Sequence, residues 1–296
     1  MNKIHNNKVL VIGGAGFVGS GLIHELYKNN TITSLDNYSS GNLENHIESD
    51  RVRYITGDAR HINKLLAGED FDFVFHFGEY SRVEASFDDF NQVLDNNFSG
   101  LHQVLSFCAR CDAKIIYSGS STKFSLRDLG KYESPYAFSK ATNTELVRAY
   151  AEWFGLKYSI VYFYNVYGKR EIFEGKYATV VAKFLNNRFE GRSHQVVLPG
   201  TQLRNFTHID DIVKGLCIVA TDGGHEDYGI GSDESFSILD LAKKIGGDIE
   251  FVPERKGNRL DAELKTEATK NLGWATEGSL TEYIDSALAK MDFADN

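Results

Sequence analysis

A chain of 296 residues with 42% hydrophobic and 25% charged side chains carries enough apolar material for one large domain or two smaller ones. Its net charge of −9 repels nucleic acid and anionic membrane surfaces, so neither is expected as a partner; an arginine pair can still hold a small anion. No apolar run approaches the length of a bilayer span, and the polar start Met1–Lys8 holds no signal-peptide core, so a cytoplasmic location is expected. Three cysteines fit a reducing compartment. Cys108-x-x-Cys111 has no second pair and no adjacent histidine, and it reads as two half-buried thiols rather than a redox or metal motif.

The predicted elements alternate along the chain. Val9-Leu10-Val11-Ile12 reads as a short buried strand, and Leu22, Ile23 and Leu26 mark an amphipathic helix after it. Between them, Gly13, Gly16 and Gly19 have the spacing of a phosphate-cradling loop. The first glycine permits a tight turn, the second lets backbone approach a pyrophosphate, and the third lets helix pack on strand. The phosphates would rest on the free amides and positive end of the helix, beside Phe17 and Val18. A second strand, Thr31 to Leu35, ends at Asp36. An acidic residue about 20 positions past the loop accepts hydrogen bonds from ribose hydroxyls and repels a 2′-phosphate, which selects NAD over NADP.

A third strand, Val52 to Thr56, closes on Gly57-Asp58, where a carboxylate could meet an adenine amino group. Phe73 to Phe77 is a fourth strand leading into Gly78; His76 within it reads as a satisfied core histidine. One long helix is expected from Asp88 to Arg110, carrying Asn96 and Asn97, and Lys114 to Tyr117 is a fifth strand. Alternating strands and helices joined by short turns imply an α/β fold, a doubly wound parallel sheet with helices on both faces.

The fifth strand ends in Ser118-Gly119-Ser120-Ser121-Thr122, and ligands of such sheets bind at the carboxyl ends of the strands. Pro135 then opens a helix carrying Tyr136 and Lys140 at i, i+4, on one face. An ammonium beside a phenol favours the phenolate, so a side chain that ordinarily titrates near about 10 can act as a base closer to neutral pH.

With these residues in place, the sequence resembles the extended short-chain dehydrogenase/reductase family, in its nucleotide-sugar epimerase and dehydratase branch. The resemblance runs through the glycine loop, Asp36-Asn37-Tyr38-Ser39-Ser40-Gly41-Asn42, Gly57-Asp58, Asn97, the serine cluster and Tyr136-x-x-x-Lys140. It continues in Tyr164-Asn165-Val166-Tyr167-Gly168, Arg204-Asn205-Phe206-Thr207-His208-Ile209-Asp210-Asp211 and Leu272-Gly273-Trp274. It implies NAD as cofactor, held by Gly13, Gly16, Phe17, Val18, Gly19, Asp36, Asn37, Ser40, Gly41, Asp58, Ala59, Phe77 and Gly78, with Tyr136 as base and Lys140 on the nicotinamide ribose. Ser120 would bond the reacting hydroxyl with Thr122 nearby, and Asn97 and Asn165 would touch a nucleoside-diphosphate sugar. Arg204 and Arg255 would clasp its diphosphate, a task suited to guanidinium forks.

The family's 4,6-dehydratases place an Asp-Glu pair at the end of the fifth strand, where this chain reads Ser120, Ser121 and Thr122. That favours a 4-epimerase. A dehydratase, a 4-dehydrogenase and, remotely, a non-catalytic NAD sensor stay open. The chain departs most from its relatives at Phe77-Gly78-Glu79-Tyr80-Ser81-Arg82, where small residues are usual, so Glu79, Ser81 and Arg82 are expected near the sugar and Glu79 is a candidate acid or base. Residues 1–165 with about 205–222 are expected to form the NAD-binding domain, and 166–204 with 223–296 a smaller substrate-binding one. The resemblance also implies a homodimer built from the helices that begin near Asp88 and Tyr136, as a four-helix bundle.

Overall fold

A computed structural model describes residues 4–121, 130–225, 227–253 and 263–294. Its frame is a seven-stranded parallel sheet built from β1 (Lys8–Ile12), β2 (Thr31–Asp36), β3 (Val52–Thr56), β4 (Phe73–His76), β5 (Lys114–Ser118), β6 (Tyr158–Phe163) and, after four short strands, β11 (Asp227–Ile230). The short ones are β7 (Val166–Tyr167), β8 (His194–Val197), β9 (Leu203–Asn205) and β10 (Thr207–His208); β12 (Ser235–Ser237) and β13 (Ile249–Val252) follow β11. The order across the large sheet is β11-β6-β5-β4-β1-β2-β3. Ile12 lies opposite both Leu35 and His76, and His76 opposite Tyr117, so the carboxyl ends of four strands are level and their loops open on one edge. A sheet covered on both faces needs apolar residues on both, which is why its strands read as nearly continuous apolar runs.

The helices are α1 (Phe17–Leu26), α2 (Ile62–Leu65), α3 (Phe90–Val93), α4 (Gly100–Cys111), α5 (Pro135–Phe154), α6 (Val180–Phe189), α7 (Ile209–Asp222), α8 (Ile238–Ile245), α9 (Glu267–Asn271) and α10 (Leu280–Ala294). On one face, Leu101, Val104 and Leu105 of α4 and Val147 of α5 pack on Leu10, Val74 and Ile115. On the other, Leu22 and Ile23 of α1 and Ile212 and Leu216 of α7 pack on Val9, Val11 and Ile116. Each fully buried aliphatic side chain contributes about 1.5–3 kcal/mol. A third core joins Phe184 and Leu185 of α6, Val196 of β8, Leu241 of α8 and Ile284 of α10, beyond the carboxyl edge of the sheet.

Two boundaries differ from expectation. The helix predicted over Asp88 to Arg110 is α3 and α4 joined by a π-helical turn, Leu94–Ser99, the kind of insertion that recurs at functional sites. Residues 227–230, expected in the smaller domain, are the seventh strand of the large sheet: β11 runs parallel to β6, and Tyr228 and Ile230 are buried in the α1/α7 core. Trp274 returns to the same core and donates from Nε1 to the Asp211 carbonyl at 2.9 Å. Cys108 is buried and Cys111 half-buried, and among the described residues no cluster could hold a metal ion. No described helix is long and apolar enough to cross a membrane.

Candidate active site

The level strand ends border a cavity of about 700 Å³. At its cofactor end lies the turn between β1 and α1. Gly13 has φ +82°, a conformation that side chains rarely adopt, and a Cβ on Gly19 would run into the Gly13 carbonyl oxygen. Gly16 caps α1 with no side-chain acceptor, leaving the first-turn amides of Phe17 and Val18 at the cavity wall. Asn37, Ser40, Asp58, Ala59, Phe77 and Gly78 line the same end. Gly41 sits behind the wall, where any side chain would press on the Asp36 carboxylate.

Both acidic residues of this end are partly committed to the protein. Asp36 accepts from the Ala15 amide at 2.9 Å and the Tyr38 amide at 2.8 Å, and burial pushes its carboxyl above the ordinary value. Asp58 accepts from the Arg60 amide at 2.8 Å and from its guanidinium at 2.9 and 3.1 Å; against the cost of burial, these bonds hold it below the ordinary value. Asp36 lines the cavity with part of its carboxylate bonded to backbone amides, and the Asp58 carboxylate is largely taken by Arg60.

Tyr136 and Lys140 enter from the first turns of α5. Ser134 accepts from the Ala137 amide at 3.0 Å and starts the helix, with Pro135 as its first residue. Both side chains reach the cavity wall, together with Ser118, Gly119, Ser120 and Ser121 from the end of β5. Lys140 Nζ donates to the Ser118 carbonyl at 2.6 Å and to Glu79 Oε2 at 2.5 Å.

Glu79 lines the cavity as the sequence suggested, but its side chain is only 1% exposed and is paired with Lys140. It also accepts from Tyr117 at 3.0 Å and from Asn143 at 3.0 Å. Burial opposes its charge, yet Lys140 and His76 outweigh burial and hold the carboxyl below the ordinary range. His76, expected to be a satisfied core histidine, is fully buried with no hydrogen-bond partner on either ring nitrogen, and its Nε2 lies 3.7 Å from Glu79.

Asn97, expected at the substrate, is not among the residues that line the cavity. It is fully buried away from the cavity, accepts from the Tyr80 amide at 2.7 Å and donates to Ser139 at 2.8 Å, so it pins the loop after β4 to α5. Asn165 lines the cavity, but its amide donates to the Asn205 carbonyl at 2.8 Å, and its φ of +35° marks a constrained turn after β6. Ser81 and Arg204 line the sugar end; Thr122 and Arg255 lie outside the described residues.

A clasp across the sugar end escaped the sequence reading. Arg82 donates to the Tyr177 carbonyl and lies 5.3 Å from that ring's centre, while Tyr80 and Lys176 each bond Asp89 at 2.7 Å. The Arg82 Nε is buried without a partner among the described residues; burial lowers the pKa of this guanidinium, opposed by Tyr136, Tyr177 and Tyr80. Only the unusual composition of residues 77–82 hinted at this arrangement.

A doubly wound sheet with a glycine cradle, an acidic end to β2 and a Tyr–Lys pair on one cavity defines a dinucleotide-dependent enzyme of the Rossmann class. The chain belongs to the NAD dependent epimerase/dehydratase family, whose model matches residues 9–231, and NAD is its cofactor. It is 31% identical to a dTDP-D-glucose 4,6-dehydratase of Bos taurus over 95% of this chain and 87% of that one. It is 28% identical to a Methanocaldococcus jannaschii protein provisionally assigned as a UDP-glucose 4-epimerase, over 93% and 95% of the two chains. The solved UDP-N-acetylglucosamine 4-epimerase of Methanobrevibacter ruminantium M1 has the same fold, with a TM-score of 0.88 at 24% identity over 99% of this chain and 100% of that one.

Proposed function

We propose that the protein is a nucleoside-diphosphate-sugar 4-epimerase. The observation that carries this reading is the chemistry at the end of β5. Ser120 and Ser121 line the cavity together with Tyr136, and the carboxylate that could have served elimination, Glu79, is held in an ion pair with Lys140. A 4,6-dehydratase needs an acid and a base next to the sugar in addition to the tyrosine, and Ser118-Gly119-Ser120-Ser121 at the end of β5 include no carboxylate.

In the proposed reaction Tyr136 takes the proton of the sugar C4 hydroxyl, with Ser120 holding that oxygen, and returns it after the keto sugar has presented its other face. NAD, when bound, supplies the hydride acceptor and donor, and because it is regenerated in each cycle it can remain with the protein. Arg204 and Arg255 take the substrate diphosphate, and Lys140 offers its remaining donor to the nicotinamide ribose. Exposed Phe90, Leu94 and Phe138 on the face of α3 to α5 support assembly as a homodimer through that face.

Incubation with a panel of nucleotide sugars, read by NMR and mass spectrometry, tests the reading. A C4 epimer of unchanged mass is expected; loss of water from the sugar would replace it with dehydration, and release of a keto sugar with stoichiometric NADH would replace it with a dehydrogenase.

A further inference from the structure

We infer that Glu79 is a positioning residue for Lys140: its carboxylate pins the ammonium against the Ser118 carbonyl, offsets its charge, and so sets the pH at which Tyr136 can work as a base. The inference rests on Tyr136 being the base and adds a control that the sequence motif alone does not contain.

The geometry is specific. An ammonium has three donors, and here one is given to Glu79 at 2.5 Å and one to Ser118 O at 2.6 Å, which leaves the third for ligand or phenol. Glu79 is itself held by two further side chains, Tyr117 of β5 and Asn143 of α5. Asn143 also donates to the Asn97 carbonyl at 2.8 Å, so the ion pair is tied into the joint between the loop after β4, the π-helical turn and α5. A cation whose counter-ion sits 2.5 Å away acts on a more distant group as a small dipole rather than a full charge. Lys140 with Glu79 therefore favours the Tyr136 phenolate less than a lone lysine would.

The other groups facing this pair are His76 from β4 and Tyr117 from β5, while Arg82 from the loop after β4 faces Tyr136 of α5. Arg82 is a cation with no acidic partner among the described residues, and it is a positive charge that acts on Tyr136 independently of Lys140. The pair is also costly to break on one side only, because a buried ammonium without its carboxylate is left uncompensated.

The test is a titration of phenolate absorbance in the NAD-loaded protein, with the Tyr136→Phe protein subtracted to isolate Tyr136. It needs no substrate, so a wrong choice of reaction and a wrong role for Glu79 give separable results. Glu79→Gln removes one negative charge at constant shape, and the phenolate midpoint is expected to fall by about one pH unit or more. Glu79→Asp keeps the charge, and its midpoint should stay near that of the parent protein even if NAD affinity drops. Glu79→Ala, which leaves room for water around Lys140, is a second neutral variant in case the amide opposite a buried ammonium impairs folding; its midpoint should also fall. Thermal melts and NAD content report folding throughout. A midpoint that stays put or rises in the neutral variants would overturn the inference, as would an equal shift in Glu79→Asp, since either result reduces Glu79 to a packing role.

Discussion

The two ends of the cavity are built by different means. At the cofactor end, Gly13 and Gly19 answer to contacts between backbone atoms, and any side chain there collides with main chain that cannot move. At the sugar end, the wall is made of side-chain pairs drawn from remote segments: Glu79 with Lys140, Arg82 with Tyr177, Tyr80 and Lys176 with Asp89. The first construction holds a pyrophosphate through backbone alone and leaves the choice of dinucleotide to Asp36. The second can be exchanged pair by pair.

The comparison can be broken at four points. Tyr136→Phe removes only the base, so turnover should drop by roughly 10²–10⁴-fold or more while NAD still copurifies; unchanged turnover would refute the assignment. Gly19→Ala acts on the other end, and the expected outcome is loss of bound NAD, measured as nucleotide released on denaturation. Retention at the parent level would show that the cradle tolerates a Cβ.

Glu171 belongs to the segment that follows β7 at the sugar end. Burial pushes its carboxyl up to about 7, against bonds from the Gly168 amide, Thr179 and Tyr283. Because this lies above the unfolded-chain value of 4.5, the stabilisation it gives is full below about 4.5 and is lost as pH rises through about 7. Glu171→Gln should therefore melt higher than the parent protein at about pH 8, by on the order of 1–3 kcal/mol, with the advantage gone near pH 4.5. A difference in melting that does not vary with pH would contradict this. The smallest effect is expected for Asp89→Asn. Its partner Lys176 is 43% exposed, so melting and NAD content should not change, while KM for the sugar nucleotide rises by about twofold as the clasp loosens.

How much was legible in the sequence follows the same division. The apolar strands, the glycine spacing and Asp36 could be read because each expresses a local rule: a strand buried on both faces, or a backbone approach that excludes side chains. Tyr136 and Lys140 could be read because helical spacing alone puts them on one face. Glu79 was noticed as out of place, but its pairing with Lys140 was not legible, because the partner lies 61 positions away and the level ends of β4 and β5 decide that the two meet. Arg82 and Tyr177, 95 positions apart, were beyond any periodicity. Asn97 was misread for a related reason: the π-helical turn buries it against α5, where a regular helix had been expected. Residues 227–230 were misplaced because a four-residue strand at the edge of the sheet carries too little pattern to separate it from its neighbours.

The most direct measurement of the central proposal is to supply a nucleotide hexose carrying deuterium at C4 and to follow that deuterium by NMR as product forms. The expected result is the C4 epimer with deuterium still at C4 and the sugar's oxygen count intact. A product in which deuterium has left C4 and water has been lost would contradict the account and establish elimination instead.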